Sequence, residues 1–249
     1  KSSFVNLLLG TDRSIVTDIA GTTRDSIQAR YNAFGNEFML VDTAGLRRKT
    51  KVHEDVEFYS VLRSLRALEE ADVCVVMLDA TRGIESQDVN IIGLADKNRK
   101  GIVILVNKWD LIENKETNTA KEFEARIMEK IAPIAYPPVI FTSVLTKQRV
   151  HKAIETAIEV YNNKRRKIPT SELNEVMLKE IEKYPPPIQK GKLVRIKYVT
   201  QLPTHNPVFA FFCNLPQYVK ESYSRYLENR MREHFDFTGV PIGIVFRKK

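Results

Sequence analysis

Between residues 37 and 143, short uninterrupted apolar runs alternate with longer stretches whose apolar positions recur every three or four residues. The runs are Phe38-Met39-Leu40-Val41, Val73 to Leu78, Ile102 to Val106 and Val139-Ile140-Phe141. Apolar strands separated by helical patterns predict a mainly parallel sheet covered on both faces, an α/β doubly wound domain. Helices are predicted near residues 58–71, 87–98, 119–132 and 150–163. In the first, Leu62, Leu65 and Leu68 share one side, with arginines between them. This unit is expected to occupy residues 1–163.

Residues 164–171 then predict a basic linker, because Lys164-Arg165-Arg166-Lys167 places four like charges together just before Pro169. Beyond it the pattern changes. A helix over 172–183, a break at Pro185-Pro186-Pro187, strands near 193–200 and 208–214, a helical stretch across 217–235 and a strand at 242–246 predict a small α+β layer over residues 172–249.

The formal charge of +8 is informative only when divided. Residues 1–163 hold 22 Lys and Arg against 23 Asp and Glu, whereas residues 164–249 hold 17 against 8. The basicity belongs to the second unit, the distribution expected of a module that meets a polyanion through phosphate neutralisation. No apolar run approaches the ~20 residues of a membrane span and no signal-peptide pattern opens the chain, so a cytoplasmic location is expected. Cys74 and Cys213 each lie inside an apolar run without CxxC or histidine companions and are expected to be structural.

Three motifs in order carry the chemistry. Lys1-Ser2-Ser3 precedes an apolar helix and looks like the second half of a Walker A loop, with the first strand and the start of the phosphate loop absent and expected upstream. In that arrangement Lys1 meets the β- and γ-phosphates and the Ser2 hydroxyl ligates Mg²⁺. Asp42-Thr43-Ala44-Gly45 ends the run from Phe38, so Asp42 is expected to hold Mg²⁺ through water and the Gly45 amide to meet the γ-phosphate. Asn107-Lys108-Trp109-Asp110 follows the run Ile102 to Val106. A carboxylate at Asp110 accepts from guanine N1–H and its exocyclic amine, which adenine cannot offer, so an unpaired carboxylate rejects adenine. Asn107 is expected to tie loops together, the Lys108 stem to cover the base, and Trp109 to pack or cover the base edge.

Between the first two motifs, Thr23 is the candidate to close on Mg²⁺ and the γ-phosphate, with Thr22 the alternative. Ser143-Val144-Leu145 offers backbone amides to the base. The sequence thus predicts a P-loop GTPase domain specific for GTP and GDP. Lys1, Thr23 and Gly45 are the catalytic candidates, and Ser3, Thr22, Thr43, Ala44 and Leu46 complete the nucleotide-binding set.

With Ile19-Ala20-Gly21-Thr22-Thr23-Arg24-Asp25, Asp42 to Arg47, Asn107 to Asp110, Tyr226-Leu227-Glu228-Asn229-Arg230 and Gly239-Val240-Pro241-Ile242 in place, the chain resembles the Der (EngA) family. These are bacterial GTPases with two consecutive GTPase domains and a C-terminal KH-like domain, acting in assembly of the large ribosomal subunit. The resemblance implies the second GTPase domain plus the KH-like domain, with a first GTPase domain upstream and rRNA of the large subunit as partner. Leu46 stands where Ras-like enzymes orient water with glutamine, and related GTPases with such a replacement use K⁺. The resemblance places its carbonyl ligands at Thr17, Ile19 and Thr22.

Two departures are visible: Val144 stands where Ser-Ala is usual, and the second unit lacks the Gly-x-x-Gly loop of ordinary KH domains. Lys190, Lys192, Arg195 and Lys197, together with Arg225, Arg230 and Arg232, are its candidates for facing rRNA. The alternatives are an interaction module gated by nucleotide with little turnover of its own, and a GTPase of the Era or MnmE type.

Overall fold

A computed structural model describes residues 1–10, 27–33, 36–42 and 68–249. The expected helix over 58–71 lies outside these residues except for its last turn, 68–70, where Leu68 is buried. The elements of the first unit are α1 (Ser2–Leu9), β1 (Ile27–Ala33), β2 (Asn36–Asp42), β3 (Val73–Asp79), α2 (Ser86–Lys97), β4 (Gly101–Asn107), α3 (Thr119–Ile131), β5 (Val139–Phe141) and α4 (Val150–Arg165).

β3, β4 and β5 form a parallel sheet with β4 in the middle. All of Gly101 to Val106 is buried, because helices cover both faces. Ile102, Ile104 and Val106 pack toward Ile92 and Ala95 of α2 and Ile127 and Ile131 of α3. Val103 and Leu105 point the other way, toward Phe4 and Leu8 of α1 and Val150, Ala153 and Val160 of α4. The period-2 alternation of a strand thereby divides one apolar run between two cores. Cys74 takes part in the first of these cores, where burial pushes its thiol up to about 11.

The run from Phe38 behaves differently from the expectation. β2 pairs antiparallel with β1, a strand the apolar pattern missed, and among the described residues this ribbon is hydrogen-bonded to no other strand. β1 reads Ile-Gln-Ala-Arg-Tyr-Asn-Ala, with too few apolar residues to register as a buried run.

The second unit comprises α5 (Thr170–Lys183), β6 (Ile196–Gln201), β7 (Val208–Cys213), α6 (Glu221–His234) and β8 (Gly243–Lys248). The sheet order is β6-β7-β8, antiparallel then parallel. Leu173, Met177 and Ile181 of α5 and Tyr223, Leu227 and Met231 of α6 recur every four residues. Both stripes pack on Val199, Phe209 and Phe211. The expected helical stretch 217–235 divides into a single 3-10 turn at Pro216–Tyr218 and α6.

The expected linker is shorter than its charge suggested. α4 continues through Arg165, leaving residues 166–169 as the connection. Lys164 is buried and donates to Asp72 Oδ1 at 2.9 Å and to the Asp72 carbonyl at 3.3 Å, so its charge is met by an exposed carboxylate at the edge of the fold. Lone buried charge would be costly; paired charge can continue a helix.

The two units are joined by more than this connection. β5 begins opposite Ile104, which would leave the Ile102 amide of β4 unpaired; it donates to the Gly239 carbonyl at 2.7 Å. The Gly239 amide in turn donates to the Tyr136 carbonyl at 2.8 Å. Val240 is fully buried within the core formed by α1 and α4, although it belongs to the second unit by sequence. Arg232 of α6 lies over the Tyr136 ring at 4.5 Å and donates to the carbonyls of Phe237 and Val240. Burial and a hydrogen bond to Asp96 push the Tyr136 phenol up, so it remains a neutral donor at 2.6 Å.

Candidate functional site

The carboxyl ends of β3 and β4 meet in register, with Asp79 opposite Asn107. In a parallel sheet flanked by helices these ends form the crevice where ligands bind. Asn107 closes β4 and its Oδ1 accepts from the Val144 amide at 3.1 Å and from the Thr142 hydroxyl at 3.5 Å. The expected tie between loops is therefore present. The turn itself is anchored by backbone: Trp109 N–H donates to Thr142 O at 3.1 Å and Thr142 N–H to Val106 O at 2.8 Å.

Lys108 adopts the left-handed region at φ 64°, ψ 31°, which turns the chain sharply before the 3-10 turn Trp109–Leu111. That turn presents Asp110. The residue is half-buried, and among the described residues its carboxyl accepts no hydrogen bond and joins no ion pair. Trp109 is turned the other way, 7% exposed and packed against Phe141 at 4.3 Å and edge-on to Phe123 at 5.7 Å. Its indole is core, so of the two expected roles, packing and base-edge cover, the side chain takes the first.

The Ser143–Leu145 loop is also refined. Ser143 is fully buried; its amide donates to Gln148 O and its hydroxyl accepts from the Thr146 amide at 3.1 Å. Since Val144 N–H is committed to Asn107, the amide left without a partner among the described residues is that of Leu145. The Leu145 side chain is 82% exposed.

Lys1 caps the amino end of α1 and its carbonyl accepts from the amides of Phe4 and Val5. Ser2 and Ser3 open that helix, and Asp42 is the last residue of β2. Thr17, Ile19, Thr22, Thr23, Thr43, Ala44, Gly45 and Leu46 lie outside the described residues.

One residue absent from the sequence-based set ends β3, opposite Asn107. Asp79 Oδ2 is 2.6 Å from Lys108 Nζ, and Asp79 Oδ1 accepts from the Thr81 amide at 3.0 Å and hydroxyl at 2.7 Å. Burial alone would raise this carboxyl, but the hydrogen bonds from Lys108 and Thr81 and the Lys108 charge outweigh it and hold it at about 2. The group is depressed from its ordinary value, so the pairing is complete above the usual carboxylate range and is lost only as pH falls through about 2. The signal in the sequence was a single acid ending the run Val73 to Leu78.

In the second unit, Lys190, Lys192, Arg195 and Lys197 are exposed and make no ion pair among the described residues. The three arginines of α6 are engaged. Arg225 pairs with Glu221, Arg230 with Glu233, and Arg232 with Glu228 besides its contacts at the joint. Arg232 is thereby removed from the rRNA-facing candidates, since its guanidinium is spent inside the molecule.

Fold and site together define the class: a P-loop GTPase unit followed by a KH-like unit. Residues 1–108 match a family described as 50S ribosome-binding GTPase, and residues 167–247 match one described as the KH-domain-like C-terminal region of EngA bacterial GTPase enzymes. The chain belongs to the Der (EngA) family. Relatives named GTPase Der from Cytophaga hutchinsonii and Christiangramia forsetii are 65% and 64% identical over 100% of the chain, which spans 57% of each relative's length. A crystal structure of Aquifex aeolicus Era bound to GDP and AlF4⁻ is similar with a TM-score of 0.50 at 20% identity, covering 100% of this chain and 88% of that one, a likeness of fold. No described helix is long and apolar enough to cross a membrane.

Proposed function

We propose that this chain is the second GTPase domain and KH-like domain of a longer cytoplasmic protein that binds and hydrolyses GTP as a switch in assembly of the large ribosomal subunit. The observation that carries the guanine assignment is the carboxyl of half-buried Asp110, without a partner among the described residues. It stands beside an asparagine already stapled to the Thr142–Val144 loop. Such a carboxylate is poorly satisfied until a ligand brings donors, and guanine brings two. Leu145 N–H, without a partner among the described residues, suits a carbonyl on the base.

Phosphate binding is assigned to Lys1, Ser2 and Ser3, at the amino end of α1, where orphan amides favour anions. Mg²⁺ is assigned to Ser2, Thr23 and, through water, Asp42. A serine opening a helix and an aspartate closing a strand are hard oxygen donors, the type this ion takes. When bound, Mg²⁺ neutralises charge developing on the phosphates. Thr23 and Gly45 remain the catalytic candidates beside Lys1, with Thr22, Thr43, Ala44 and Leu46 in the nucleotide-binding set.

The carbonyls of Thr17, Ile19 and Thr22 would hold K⁺, which would supply positive charge where Leu46 cannot orient water. Steady-state GTP turnover by the full-length protein is expected to be faster in KCl than in matched NaCl by on the order of tenfold or more. Equal rates would remove K⁺ from the mechanism, and turnover unaffected by Asp42→Ala at this site would leave a binding module that hydrolyses nothing itself.

The description of the first family supports a large-subunit partner, and the exposed cations of the second unit support rRNA as the surface met. Replacing Lys190, Lys192, Arg195 and Lys197 together by glutamate is expected to abolish salt-sensitive co-sedimentation with 50S subunits. Undiminished binding would exclude this face. The upstream first GTPase domain is proposed as a further partner within the same full-length protein.

A further inference from the structure

The strand ends hold a clamp that the nucleotide motifs leave unexplained. Asp79 divides its two oxygens: Oδ1 is gripped by the Thr81 amide and hydroxyl, and Oδ2 is left to face Lys108. The turn is closed by backbone as well, with the amides of Arg82 and Gly83 donating to Asp79 O at 3.0 Å each. Asp79 is therefore held from its own side before it meets the lysine. Across the register, the Ala80 amide donates to Asn107 O at 2.9 Å, so the two strand ends are fixed relative to each other.

Lys108 needs such a partner. Its side chain is 52% exposed, and a free lysine stem samples many rotamers, each of which sends the four-carbon chain in another direction. It stands between Asn107, which ties the base loops together, and Asp110, which awaits guanine donors. We propose that Asp79 is a positioning residue for guanine-nucleotide binding: by holding the Lys108 ammonium across the strand ends, it fixes the lysine stem as the cover of the base. This rests on the guanine assignment of the site. A solvent-facing ion pair adds little to folding stability, so the pair is expected to be felt by the ligand more than by the fold. Its loss leaves the base contacts in place and restores the disorder of their cover, a cost in preorganisation.

The test is a double-mutant cycle in the full-length protein. Binding of mant-GDP at this site is read by energy transfer from Trp109, whose indole lies in the core beside the tetrad. Asp79→Asn is expected to weaken binding about tenfold with the thermal midpoint unchanged, and Asp79→Glu, which keeps the carboxylate, to recover most of it. Lys108→Met is expected to weaken binding at least as much, and adding Asp79→Asn to it to change nothing further. An equal loss from Asp79→Asn in both backgrounds, or no loss in either, overturns the proposal while leaving the guanine site intact. Unchanged binding in Lys108→Met also overturns the proposal, because the lysine stem would then not be the cover of the base; the guanine assignment, which Asp110 carries, is tested separately by Asp110→Asn.

Discussion

Asp110→Asn is expected to lower GDP affinity at this site roughly 10³-fold, because one hydrogen bond to an ionised acceptor, which contributes about 1.5–3 kcal/mol, is lost and the other falls to a neutral bond. The amide that replaces the carboxylate turns a donor toward the donor amine of guanine, so the loss includes a mismatch. Xanthine carries a carbonyl where guanine carries that amine, and xanthosine diphosphate is expected to gain affinity as GDP loses it. The structure makes this a clean substitution. Asp110 has no other partner among the described residues, so no internal hydrogen bond is broken with it. The neighbouring anchors, Asn107 to Val144 and Trp109 to Thr142, involve other atoms. Parallel titrations with GDP and xanthosine diphosphate check the reversal; unchanged preference for GDP would mean that Asp110 does not read the base.

The second large effect lies at the joint between the units. Gly239 has φ +76°, and a Cβ there would sit 2.2 Å from Val160 Cγ2 and 3.1 Å from the Ile102 carbonyl oxygen. Gly101 meets the same side chain from the other side, its Cβ position falling 2.6 Å from Val160 Cγ1. Val160 thus fills a slot that only glycines leave open. Gly239→Ala combines left-handed strain of about 1 kcal/mol with overpacking of about 1–3 kcal/mol, and is expected to destabilise by roughly 2–4 kcal/mol. Denaturant unfolding measures it. Val160→Ala in the same chain should recover the steric part but not the backbone part, so the double variant should be more stable than the sum of the singles. Strict additivity would refute the contact.

This joint bears on how a nucleotide switch reaches the basic module. Gly239 pairs with β4 and β5-side backbone, Val240 completes a core of the first unit, and Arg232 spans the gap to Tyr136. A segment held by backbone hydrogen bonds and full burial is expected to move with the sheet that holds it. Under the proposed function, motion on nucleotide exchange is expected to present the exposed cations of Lys190 to Lys197 together with the GTPase surface.

The same details show which inferences the chain alone could support. Ile102 to Val106 announced a buried strand, and the polar tetrad after it announced a site, because both signals are local: apolar period, chain reversal and side-chain chemistry within a few residues. The stripes Leu173-Met177-Ile181 and Tyr223-Leu227-Met231 were legible for the same reason. What tertiary structure decided was the partner of each group. Trp109 turned to the core because Phe123 and Phe141 offered it aromatic faces. Val144 lost its amide to Asn107, and Lys164 became buried because Asp72, far away in sequence, met its charge. Asp79 gained meaning only when strand pairing set it opposite Asn107 and within reach of Lys108. Residue type and spacing determined that a polar tetrad ends a strand of a parallel sheet, the place proposed for guanine nucleotide; long-range pairing, which no local pattern encodes, decided which of its atoms are already engaged.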